Sequence, residues 1–307
     1  VSKKSPIVAI LVADVHLSLN PPVCRALEPC WFSAMARSLF QIAELSERHD
    51  APVLCAGDLF DRWNSPPELI NFALASLPDI YSIPGQHDLP LHRLDLIERS
   101  AYHTLTLTEK VKDLSSGQVV RLGGLAVQGF PWGEPLKPCE IDVPGVLAVA
   151  LVHSFIWKSK KTGYPGAPEE GKLPAYKKAM EGWDVVVFGD NHKGFLTKSG
   201  ETVVLNCGTV FRRRTDEVEY RPHVGLLRQS GEVELQYLDT AKDVIEAKKE
   251  TDWEPNRESL KAFVEDLSRL SGDPLDFRAS MAKVMRDCDY GVRGVLAAVL
   301  ELSQKGN

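Results

Sequence analysis

No apolar run in this 307-residue chain approaches the ~20 residues that a membrane-spanning helix needs. Residues Val1 to Pro6 lead at once into a core-like strand, without a signal-peptide cleavage pattern. Cysteine is scarce, with six scattered residues. Cys24 and Cys30 are close, but their Pro-rich setting does not match zinc-ribbon spacing, and Cys55 and Cys207 fall in or beside expected strands. Reduced thiols and a cytoplasmic location are the expectation. An excess of positive charge is also missing, since 36 Lys and Arg face 42 Asp and Glu for a net charge of −6. That excludes a uniformly basic nucleic-acid binder, though not local phosphate contacts. Between Lys158 and Lys198 eight lysines meet five acidic residues, and Arg212-Arg213-Arg214 follows. Internal repeats and low-complexity segments are absent. What remains is ordinary globular material, 44% hydrophobic and 25% charged, enough for one large domain or one domain with a small appendage.

Five apolar segments each run into residues that can hold a metal. Ile7 to Val12 ends at Asp14-Val15-His16, Pro52 to Leu54 leads through Gly57 to Asp58, and Ile80 to Ile83 leads to Gly85-Gln86-His87-Asp88. Val146 to Val152 ends at His153, and Val185 to Phe188 leads to Gly189-Asp190-Asn191-His192. A single histidine after a strand is an ordinary turn or core residue, whereas five such junctions in one chain form a pattern. Glycine before Asp58 lets the chain turn sharply and presents the carboxylate at the strand's carboxyl end, where open α/β sheets bind ligands.

The remaining chain reads as alternating strands and helices. Apolar spacing predicts a helix from about Trp31 to Arg48 and another from Pro67 to Leu77. A hairpin is expected over Val119–Leu122 and Leu125–Gln128, with later strands at Thr202–Asn206, Val224–Arg228 and Val233–Tyr237. Leu91 to Leu114 has no clear pattern. Between His153 and Trp183 lies a long insert in which Phe155, Trp157, Tyr164 and Tyr176 are interleaved with lysines. Such a segment suits either base stacking with phosphate contact or a mobile solvated lid. After Leu238, three apolar stripes follow helical spacing, led by Leu260, Phe277 and Val292.

The order D-x-H, G-D, G-x-H-D, H and G-x-x-H resembles the calcineurin-like metallophosphoesterases over roughly Ile7 to Leu238. Within them it resembles most the SbcD-type DNA-repair nucleases, through Gly57-Asp58-Leu59-Phe60-Asp61 with Ser65-Pro66-Pro67, and through Asn206-Cys207-Gly208-Thr209-Val210. The resemblance implies a four-layer α/β/β/α sandwich at residues 1–238 with a small helical C-terminal appendage at 239–307. It implies two divalent ions, Mn(II) or alternatively Mg(II). Asp14, His16, Asp58 and His192 would hold the first, and Asp58, Gln86, His153 and Asp190 the second. Gln86 and Asp190 depart from the family's usual asparagine and histidine, and the anionic oxygen of Asp190 favours harder cations. His87 corresponds to the family's proton donor, with Asp61 as its orienting carboxylate. Arg62 stands where many phosphatases of the superfamily hold phosphate.

These residues imply a metal-dependent DNA exo- or endonuclease. The alternatives are a phosphomonoesterase or phosphoprotein phosphatase, favoured by Arg62 and the acidic net charge, and a non-enzymatic scaffold. Lys158, Lys160, Lys161, Arg212 and Arg213 are the candidate phosphate contacts. DNA is the expected partner, with an SbcC-like ATPase docking on the C-terminal helices.

Overall fold

The computed structural model describes residues 5–164 and 166–246. The chain divides into two compact units, residues 1–248 and 249–307, and the three apolar stripes after Leu238 lie outside the described residues. Among the described residues no helix is long and apolar enough to cross a membrane.

Strands β1 (Ile7–Val12), β2 (Val53–Cys55), β3 (Ile80–Ser82) and β4 (Val111–Asp113) run parallel. Helices α1 (Trp31–His49), α2 (Pro67–Ser76) and α3 (Ala101–Leu107) lie between them in the chain. A second sheet holds β5 (Val120–Leu122), β6 (Leu125–Phe130), β7 (Leu147–His153), β8 (Val185–Gly189), β9 (Phe195–Ser199) and β10 (Thr202–Asn206). The chain then returns to the first sheet as β11 (His223–Arg228) and β12 (Val233–Tyr237). Strand orders are β12-β11-β1-β2-β3-β4 and β5-β6-β7-β8-β10-β9.

The central strands are apolar on both faces because both faces are covered. In β1, Ile10 and Val12 pack with Met35, Leu39 and Leu69 beneath the helices. Ala9 and Leu11 point the other way, against Val149, Leu151, Val187 and Leu205 of the second sheet. Each fully buried leucine of this kind stabilises the fold by ~1.5–3 kcal/mol. The outer face of the second sheet, with Ala150, Val152, Val186 and Phe188, is covered by Leu136, Ile156, Met180 and Trp183. That fourth layer is built of loops and short 3-10 turns among the described residues, so the sandwich is regular on one outer side only.

Several local expectations change. Leu91 to Leu114 resolves into 3-10 turns, α3 and β4. The hairpin strand β9 is additional; its alternation is short and mostly polar. Part of the insert after His153 packs onto the second sheet, while Lys158 to Lys161 are exposed. Thr162 Oγ1 accepts N–H bonds from Lys158 and Ser159, and Asn191 donates to the carbonyls of Ile156 and Thr162. Trp157 is buried and donates to the Pro168 carbonyl, while Tyr176 meets Ser154. Both rings are therefore turned inward, away from any stacked base.

Residues 239–246 lie along α1. Gln41 accepts the Asp239 N–H, Glu28 accepts the Val244 N–H, and the Cys24 carbonyl accepts the Glu246 N–H.

Candidate metal centre

The carboxyl ends of β1, β2, β3, β7 and β8 meet at one edge of the sandwich, and each contributes a polar turn. Asp14, His16, Asp58 and Asp190 all have positive φ, between 49° and 76°. This strained conformation is disfavoured for residues bearing a Cβ and persists where surrounding structure dictates it. Close packing enforces the arrangement. A Cβ on Gly57, itself at φ 96°, would lie 2.2 Å from His153 Nδ1, and one on Gly85 would lie 2.1 Å from Asp58 Oδ1. Only glycine allows the turns to approach this closely.

Two groups of donors result. On one side His16 Nε2 and His192 Nε2 face each other at 3.0 Å, with Asp14 within reach of both. On the other, His153 Nε2 lies 2.7 Å from Gln86 Oε1 and 3.4 Å from Asp58 Oδ2. Gln86 Nε2 donates to Asp190 Oδ1 at 2.6 Å. Asp58 lies between the groups, with Oδ2 also 3.6 Å from His16 Nε2. The structure thus brings together Asp14, His16, Asp58, Gln86, His153, Asp190 and His192.

The donor set fits divalent cations. Oδ2 of Asp14 and Oδ2 of Asp58 are buried without a hydrogen-bond partner, which is costly unless something else satisfies them. Burial pushes the Asp14 carboxyl up to about 7, against the opposing pull of His192 and His153. Burial acts on Asp58 in the same direction, but His153 and His87 outweigh it and hold that carboxyl below its ordinary value. Burial would lower His153, yet Asp58 and Asp14 lift it to about 10. His16 is held well below its ordinary value by burial and by Arg213, so its ring is neutral and its lone pair free to ligate. Carboxylate, imidazole and amide oxygen donors together suit Mn(II), Mg(II) and related ions.

His87 is the exposed histidine of the cluster, stacked edge-on against His16 at 4.8 Å. The expected pairing with the Asp61 carboxylate is corrected here. His87 Nδ1 lies 2.9 Å from the Asp61 main-chain carbonyl, while the Asp61 side chain is turned toward Arg213 at 2.5 Å. The reason is electrostatic, because the Arg213 guanidinium offers the carboxylate a permanent charge and forked N–H donors. Two candidate phosphate contacts change accordingly. Arg213 is held by Asp61, and Arg212 points to Asp243 and the Val218 carbonyl. Lys158, Lys160, Lys161 and Arg62 remain exposed, with Lys158 over the Phe195 ring. Arg62 borders a groove of 290 Å³ lined also by Leu17, Ser18, Asn20, Asp61 and Asn64.

Two supporting residues escaped the sequence reading. Asp88 is fully buried and accepts N–H bonds from Leu59, Phe60 and Gly85, tying the Asp58 turn to the His87 turn. Burial, reinforced by Asp58, pushes its carboxyl to about 7. Its place beside His87 was a usable signal. Glu217 lies with Oε1 3.8 Å from His192 Nδ1, and no spacing in the sequence points to it.

Comparison with known proteins places these observations. The family model for calcineurin-like phosphoesterases matches residues 8–194, more than half of the chain. No curated protein sequence matches it. Among solved structures, an archaeal phosphodiesterase is 12% identical with a TM-score of 0.39, covering 75% of this chain and 99% of its own. A Staphylococcus aureus protein described as a 5'-nucleotidase is 15% identical with a TM-score of 0.43, covering 84% of this chain and 58% of its own. A metallophosphoesterase from Sphaerobacter thermophilus is 13% identical with a TM-score of 0.39, covering 75% of this chain and 88% of its own.

Proposed function

The chain belongs to the calcineurin-like phosphoesterase family, and on that premise we propose that it is a metal-dependent phosphodiesterase acting on DNA. The observation that carries this reading is the exposed His87 ring at the mouth of a buried Asp/His cluster. Asp14, His16, Asp58 and His192 would hold one divalent ion, and Asp58, Gln86, His153 and Asp190 a second. Such a pair, when bound, neutralises charge on the phosphate and lowers the pKa of water.

The chain's own groups do the rest. Asp58 is placed to be shared, since its two oxygens face different neighbours: Oδ1 accepts the His87 N–H at 3.0 Å, and Oδ2 faces both histidine groups. His87, with Nδ1 fixed by the Asp61 carbonyl, presents Nε2 to solvent as the acid that protonates the leaving oxygen. Lys158, Lys160 and Lys161 supply positive charge along the insert for the flanking phosphates of a polynucleotide.

A second reading, phosphomonoester hydrolysis, is favoured by Arg62, whose exposed fork suits a terminal phosphate. Linear double-stranded DNA, single-stranded DNA, a small phosphodiester and a phosphomonoester, each supplied with Mn(II), separate the two. Cleavage of DNA and diester with little monoester turnover is expected. Preference for the monoester would replace the proposal with the second reading. Docking of an SbcC-like ATPase is proposed for residues 239–307, with co-purification of such a partner as its test.

A further inference from the structure

His16 and His192 share a feature that the ligand set alone does not explain. Their Nε2 atoms converge at 3.0 Å, while their outer Nδ1 atoms are buried and make no hydrogen bond. Behind each Nδ1 stands a carboxylate at 3.8 Å: Asp61 Oδ1 behind His16 and Glu217 Oε1 behind His192. One residue holds both carboxylates. The Arg213 guanidinium binds Asp61 Oδ1, and the Arg213 main-chain N–H binds Glu217 Oε2 at 2.6 Å. The Arg214 N–H adds to Glu217 Oε2 at 3.1 Å. The loop is itself anchored, since Arg25 donates to the Arg212 carbonyl and Arg212 donates to Asp243.

From this geometry we infer that Arg213 and Glu217 are positioning residues for the first ion: through Asp61 and Glu217, the 212–217 loop fixes both imidazoles with Nδ1 protonated and Nε2 turned to the metal. The inference rests on the metal-binding reading of the site. A carboxylate behind a ligating histidine sets its tautomer and ring orientation and raises its basicity. At 3.8 Å neither Nδ1–carboxylate contact is yet a hydrogen bond; a cation that takes the Nε2 lone pair of both rings would leave each Nδ1 as the protonated nitrogen facing its carboxylate. Glu217 is suited to the task. Its Oε2 is held by the Arg213 and Arg214 N–H groups, leaving Oε1 facing His192.

Among the described residues, the proposed donors of the second ion, Gln86, His153 and Asp190, form hydrogen bonds with one another and with other turns rather than with this loop. His153 instead has Nδ1 at 2.6 Å from the Ala56 carbonyl. The two positions should therefore respond differently when the loop is altered, and a general loosening of the fold would not produce that difference.

The test uses the full chain stripped of metal and titrated with Co(II), whose absorption bands report coordination. Nitrogen-15 spectra of the histidine rings in the Zn(II)-loaded chain read the tautomers directly. Arg213→Ala and Glu217→Gln should each weaken one binding step by roughly 10–100-fold, the range typical of such supporting groups, and leave the other step unchanged. Arg213→Lys should restore much of the loss, because it keeps a cation near Asp61, the main-chain N–H to Glu217 being common to all these variants. Nδ1–H signals from His16 and His192 are expected in the parent, with that of His192 shifted in Glu217→Gln. If Arg213→Ala does not fold, the isosteric Glu217→Gln decides alone. Unchanged binding in folded variants, or equal weakening of both steps, would overturn the inference. A chain that shows these metal effects yet hydrolyses no phosphoester would overturn only the proposed function.

Discussion

At the scale of single residues, burial sets the proposed acid apart from the proposed ligands. His16 and His153 are about 1% exposed, whereas His87 faces solvent. His87→Gln should therefore lower kcat by roughly 10²–10⁴-fold while metal content, measured by elemental analysis, stays that of the parent. The loss should shrink with a p-nitrophenolate leaving group, which needs little protonation. Metal loss in proportion to activity would instead make His87 a ligand. Asp14 gives a pH prediction. Its carboxyl retains a proton up to about 7 in the metal-free chain, and His153 retains one up to about 10. Both protons must leave on metal binding. Apparent affinity should thus climb steeply as pH rises to 7, then more gently toward 10, with proton release visible by calorimetry in buffers of differing ionisation enthalpy. The residues that gather at the site were legible in the sequence because each follows an apolar run. The roles of Asp61, Arg213 and Glu217 were not, since those depend on where a distant loop returns.

At the scale of elements, legibility followed the strength of the pattern. β1, β10 and β12 match the strands read from apolar runs, and α1 matches its apolar stripe to within a residue. Short or mostly polar elements such as α3, β4 and β9 were missed, because three to seven residues carry too little periodicity to stand out. The insert divides, for Trp157 is buried and Tyr176 packs on Phe188, whereas Tyr164 is exposed and lies against the half-buried Phe155. The turn after β3 gives the sharpest test at this scale. Gly85→Ala forces a Cβ to within 2.1 Å of Asp58 Oδ1 and 2.6 Å of His153 Nε2, so the β3 turn must move off the β2 turn. We expect a folded protein with metal affinity reduced at both steps, measured by calorimetry. Parent-like affinity would mean that the turns have slack which the packing does not suggest.

At the scale of the whole molecule, a largely buried charge cluster joins residues 239–246 to the sandwich. Arg25, Arg37 and Arg212 surround Glu28 and Asp243. Asp243→Ala leaves Arg25 and Arg212 facing only Glu28 and the main chain. Removing one partner of a buried ion pair typically costs ~3–5 kcal/mol, which denaturant unfolding of the full chain should detect. The arrangement of the ligands has a further consequence, in the rate of unfolding. Asp14, His16, Asp58 and Gln86 follow strands of the first sheet, whereas His153, Asp190 and His192 come from the second. Away from that edge the side chains packed between the sheets are apolar, and such contacts are non-directional and yield gradually. A cation held from both sides would act as a rivet through the sandwich, holding the layers together until it leaves. The loaded protein's lifetime would then be set by the rate of metal escape, so that a chelator hastens its unfolding at temperatures far below the melting point.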